Sequence, residues 1–102
     1  MAKYCLLVIT NAVAGKDDEF NNWYSNQHVP DVLNIPGFTG AKRYKITGES
    51  NLPGKYVAVY DIETDDLQAV TAELGKRAGT SAMVMSDTMD VSTASMSVCV
   101  QI

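Results

Sequence analysis

The first apolar run, Lys3 to Thr10, is aliphatic and β-branched with no polar alternation, the pattern of a strand covered on both faces. Asn11 to Lys16 is a loop. Three carboxylates, Asp17, Asp18 and Glu19, then stand where a helix N-terminus favours negative charge, and Phe20, Tyr24, Gln27, His28 and Asp31 follow at helical spacing. Pro30 lacks the amide that would bond back to Asn26 and pushes Val29 away from helical dihedrals. The helix is therefore expected to kink or stop near His28, with a short turn restarting on Pro30. Beyond Pro36-Gly37, the positions Phe38, Gly40, Lys42, Tyr44 and Ile46 alternate with Thr39, Ala41, Arg43, Lys45 and Thr47, which predicts a second strand near a sheet edge.

Gly48 to Gly54 is a hairpin-type loop, and Lys55 to Glu63 returns as a nearly continuous apolar strand. Thr64 is placed to cap a second helix, with Asp65 and Asp66 in its first turn and Leu67, Val70 and Leu74 on its inward stripe. Thr80 to Asp90, which carries Met83, Met85 and Met89, reads as a loop, and Val91 to Ile102 as the last strand.

Strand, helix, strand, strand, helix, strand is the ferredoxin-like α+β order, a single domain over residues 1–102 with a four-stranded antiparallel sheet. The two continuously apolar strands, first and third, belong in its centre. Two helices cover one face of such a sheet, so the apolar residues on the other face call for a partner. A homodimer packed sheet on sheet is the simplest arrangement.

Composition narrows the function. With 46% apolar residues the chain of 102 can build one core. A net charge of −4, with only eight Lys and Arg, argues against nucleic acid. No apolar tract reaches membrane-spanning length. The start of the chain imitates a signal peptide, but its apolar run is short and is also the best strand, so a cytoplasmic location is expected. Cys5 and Cys99 lie at opposite ends without metal-type spacing and read as two reduced core thiols, with a disulfide as the less favoured alternative. Glycine-rich phosphate loops, metal-ligand clusters and nucleophile elbows are absent, so neither a metal nor an organic cofactor is expected.

The candidate chemistry is on the first helix. At about 100° per residue Phe20, Tyr24, His28 and Asp31 share one face, with Gln27 beside them and Trp23 at the border. A face that packs on a sheet should be aliphatic, and this one carries an imidazole, a phenol, a carboxylate and an amide. His28, the only histidine, is the candidate proton carrier. A helix C-terminus and Asp31 would both raise its pKa. A hydrogen-bonded core histidine is the competing reading. Trp23 is either a stacking surface or a helix-to-sheet anchor. Lys42, Arg43 and Lys45 alternate faces, so only some of them can meet one pocket, while Met83, Met85 and Met89 suit either an adaptable pocket or core filler.

The segment from Phe20 to Tyr44 resembles the helix-to-strand region of EthD-like and REDY-like (HapK-type) proteins of the dimeric α+β barrel superfamily. The matching elements are Trp23-Tyr24, His28, Pro30-Asp31, Pro36-Gly37-Phe38 and Arg43-Tyr44, about a quarter of the chain. The resemblance implies a pocket between sheet and helices, with His28 as the helix histidine of the family and Trp23, Tyr24 and Asp31 as its neighbours. It departs from the haem-degrading branch, because Asn, Trp and His here crowd onto one helix. What it implies is an enzyme of lyase, isomerase or cyclase type acting on a small aromatic or polyketide-like molecule. His28, Tyr24 and Asp31 would be catalytic, and Phe20, Trp23, Gln27, Phe38, Arg43, Tyr44, Met83 and Met85 would surround the substrate. A ligand-binding accessory protein and a cofactor-free oxygenase are the alternatives.

Overall fold

Four strands, β1 (Ala2–Thr10), β2 (Phe38–Lys45), β3 (Tyr56–Thr64) and β4 (Ser95–Val100), pair antiparallel in the order β2-β3-β1-β4 in the computed structural model, which describes residues 1–102. The helical elements are α1 (Asp17–Trp23), a π turn (Tyr24–His28), α2 (Val29–Leu33) and α3 (Leu67–Arg77). The βαββαβ order and the central place of β1 and β3 are those that the hydrophobic pattern predicts.

The period of two along each strand sorts the side chains. In the β1·β3 register Leu6 lies opposite Tyr60 and Val8 opposite Ala58, on the face that meets the helices. Phe20, Tyr24, Val32, Ile35 and Val70 pack onto it and complete one buried cluster. Each such side chain stabilises the fold by about 1.5–3 kcal/mol when fully buried. Leu7, opposite Val59, and Cys5, opposite Asp61, look the other way, where no element of this chain covers them.

Several local expectations are corrected. The first helix does not stop near His28 but runs on through Pro30. Its dihedrals stay right-handed, and the Val29 amide bonds to the Tyr24 carbonyl, widening one turn to π geometry before Pro30 enters the first turn of α2. Asp66, not Thr64, caps α3, accepting a 3.1 Å bond from the Ala69 amide, while the Thr64 hydroxyl accepts from the Asp66 amide one step earlier. β4 begins at Ser95 rather than Val91, because Asp90 bonds the backbone and side chain of Ser92 and folds that stretch into a turn. Cys99 is exposed and Cys5 half-buried, so the two free thiols lie outside the core.

One correction changes faces. A bulge between Phe38 and Gly40 inserts a residue into β2, so strict alternation fails there. Phe38, Ala41 and Arg43 lie opposite Ile62, Tyr60 and Ala58 on the helix side, and Tyr44 lies opposite Val57 on the other side. The chain turns into β2 through Gly37, whose φ is +106°. A Cβ there would stand 2.7 Å from Val70 Cγ2, so only glycine lets α3 close down on this turn.

Candidate functional site

A cavity of about 490 Å³ lies between the sheet and the helices. Leu6, Val8 and Tyr60 form its floor, Tyr24 and His28 reach it from the π turn, and Leu74 borders it from α3. Met83, Met85 and Met89 of the loop and Met96 and Val98 of β4 complete a mostly hydrophobic wall. Flexible thioethers give such a wall an adaptable shape.

His28 is the polar centre of this lining. Its ring stacks on Trp23 at 4.9 Å between centroids and 27° between planes, and Tyr24 meets it edge-on at 4.8 Å. Nδ1 is buried without a hydrogen-bond partner. Burial makes the charged ring costly and, helped by the nearby Arg43 cation, outweighs the pull of Asp31, so the pKa falls to about 4. The expected upward shift is thus reversed. The helix does not end at His28, so no C-terminal dipole is there to favour the cation, and the imidazole is neutral at pH 7.

Tyr24 accepts a 3.0 Å hydrogen bond from the Tyr60 hydroxyl, which leaves its own proton free to donate. Burial raises the pKa of both phenols and keeps them protonated. The Arg43 guanidinium lies 4.3 Å from the Tyr24 ring centroid, on the side held by Asn21 and Ser25, to which it donates at 2.8 and 2.9 Å. It thereby fastens β2 to α1 and the π turn.

Asp31 and Trp23 hold the methionine loop. One Asp31 oxygen accepts from the Val84 amide at 3.1 Å and from the Gln27 side chain at 2.8 Å, and the Trp23 indole donates to the Val84 carbonyl at 3.0 Å. Both backbone groups of Val84 are thus tied to the helix that carries His28, between the two cavity-facing residues Met83 and Met85.

Of the residues that the sequence singles out, Tyr24, His28, Met83 and Met85 line the cavity. Phe20 and Phe38 are core residues, and Gln27 is exposed beside Asp31. Arg43 and Tyr44 border a separate polar cleft with Asp17 and Lys55, and Tyr44 is more than half exposed. Tyr60 escaped the sequence reading because an apolar strand hides which of its tyrosines meets the helix. Met96 and Val98 escaped because nothing in a strand marks a cavity mouth.

The family model for a domain of unknown function, DUF4286, matches residues 4–90. The chain belongs to the DUF4286 family. No curated protein sequence matches it. Among solved structures, this DUF4286 chain is similar to the heme-degrader MhuD of Mycobacterium tuberculosis, solved with two hemes in its active site. The TM-score is 0.65 and the identity 20%, over 97% of this chain and 95% of that one. An EthD-family protein of Bacillus halodurans gives a TM-score of 0.52 at 16% identity over the whole of both chains. HapK of Hahella chejuensis gives 0.49 at 18% identity over 95% of this chain and 90% of that one. At these identities the likeness is one of fold, and the fold of this DUF4286 chain is that of the dimeric α+β barrel proteins.

Proposed function

We propose that this chain takes a small aromatic or polyketide-like molecule into the apolar cavity, and that neutral His28 removes a proton from it while the Tyr24 hydroxyl donates to a substrate oxygen. The observation that carries this reading is a single uncharged imidazole, its Nδ1 buried without a partner, set in a mostly hydrophobic lining whose other polar groups are hydroxyls. A base whose pKa is about 4 is always ready to accept at pH 7, yet weak. It suits a carbon acid that is already acidic, such as a C–H between two carbonyls or next to a phenolic ketone. The Tyr24 donor, freed by the Tyr60 hydroxyl, would stabilise the enolate oxygen that forms. Lyase, isomerase and cyclase reactions that pass through an enolate begin with that step.

MhuD holds hemes in its active site, but the helix asparagines of this chain are turned elsewhere. Asn21 accepts from Arg43, and Asn22 and Asn26 bond to each other on exposed surface, so the reading routes no step through haem. The chain also acts as a homodimer in this reading, with Leu7, Val57 and Val59 on the face that its own helices leave open.

The test uses hydroxyaryl ketones and aryl 1,3-diketones in D2O. Ligand entry is read from Trp23, the single tryptophan, stacked directly on His28. Proton abstraction is read as deuterium incorporation at the acidic carbon. Wild-type protein should bind members of the panel and catalyse exchange, and His28→Gln should bind with similar affinity but exchange at least about 10²-fold more slowly. Binding without exchange above the buffer rate would replace catalysis by a carrier role, and equal exchange by His28→Gln would remove the imidazole from the chemistry.

A further inference from the structure

The sheet brings together two residues that the sequence keeps almost a full chain apart. In the β1·β4 register Cys5 lies directly opposite Cys99, on the face away from the helices. Both are free. We infer that Cys5 and Cys99 are a thiol–disulfide switch, a cross-strand pair that closes within one chain when a low-molecular-weight disulfide is present and reopens with excess thiol.

The register supports a bond that is reversible. The Gln101 amide donates to the Lys3 carbonyl at 2.9 Å, so that neighbouring pair is of the hydrogen-bonded type, and antiparallel alternation puts Cys5 and Cys99 in the same class. Opposed Cα atoms of this class stand about 5.5 Å apart, inside the range a disulfide spans, but with Cβ atoms at the wide end of cross-strand spacing. Closing the bond must draw the strands slightly together, and bonds under such tension are the ones that exchange readily. β4 is an edge strand, paired only with β1, so it has room to make that adjustment.

Access and acidity give the order of events. Cys99, near the end of β4, is exposed in the single chain, on the face that the homodimer would cover, so exchange proceeds from the dissociated chain, while burial, the neighbouring Cys99 thiol and the Asp61 carboxylate raise the pKa of Cys5. The Cys99 thiolate attacks one sulfur of the small disulfide and expels one thiolate, which takes up a proton. The Cys5 thiol then loses its proton and attacks the Cys99 sulfur, releasing the second thiol. Two protein thiols are oxidised and one small disulfide is reduced to two thiols, so atoms and electrons balance. The inference stands apart from the cavity chemistry, since neither sulfur lies in the cavity lining.

The probe is oxidised glutathione, applied to the native chain at low and high protein concentration. Thiols titrated after denaturation should fall from two per chain to none. Mass mapping without reductant should recover one peptide pair joining Cys5 to Cys99 within a single chain, and excess reduced glutathione should restore both thiols. Cys5→Ser should stop at a glutathione adduct on Cys99. Thiols that stay at two, cross-links found only between chains, or an adduct on Cys99 that wild-type Cys5 never displaces would each overturn the proposal.

Discussion

An imidazole pressed between an indole and a phenol loses the water that would stabilise its charge, and that loss decides the state of His28. Its pKa in the folded chain, about 4, lies below the ordinary value of 6.5, so the unfolded chain binds the proton more readily. The contribution is therefore fully favourable above pH 6.5 and is lost as pH falls from there to about 4, by up to about 3 kcal/mol at 1.36 kcal/mol per unit. Urea unfolding at a series of pH values should show this loss in wild-type protein, and His28→Gln, which has no such proton to bind, should show a shallower decline. Parallel profiles for the two would mean that the ring is solvated. The sequence placed Tyr24 and His28 together on an inward face, which helical period alone dictates. It could not supply the sign of the shift, because that depends on the helix continuing past His28 and on Trp23 covering the ring.

At the scale of elements, the site depends on how the methionine loop is attached. Asp31 and Trp23 bind the two backbone groups of Val84 from one side, while Met83 before it is tied back by its backbone to Gly79 and Thr80. Asp31→Ala should leave the fold in place, cost about 1 kcal/mol for the lost hydrogen bonds and lower Tm by several degrees. Amide exchange at Val84 should accelerate at least about tenfold. Unchanged protection there would show that the loop is held without Asp31. The helical spacing pointed to Asp31, but its partner is 53 positions away and was invisible until the chain folded. The β2 bulge has the same character. Perfect alternation assigns Arg43 and Phe38 to opposite faces, and one extra residue puts both on the helix side, where Arg43 lies against Tyr24.

For the molecule as a whole, an open apolar sheet face on a chain of this size is a cost unless something covers it. Leu7 and Val59 sit side by side at the middle of that face. Leu7→Lys should shift sedimentation from dimer to monomer at micromolar concentration, because a symmetric contact places the new charge against its own copy. A wild-type chain that sediments as a monomer would contradict the dimer directly.

Periodicity was enough to determine the element order, the two central strands and the inward face carrying Tyr24 and His28, because each follows from backbone geometry that neighbouring residues already impose. Proximity between distant residues was settled only in three dimensions. The meeting of Cys5 with Cys99, of Tyr24 with Tyr60, and of Val84 with Asp31 and Trp23 depends on strand register, a bulge and a π turn. Those features minimise the energy of the assembled core, and no short stretch of sequence contains that information.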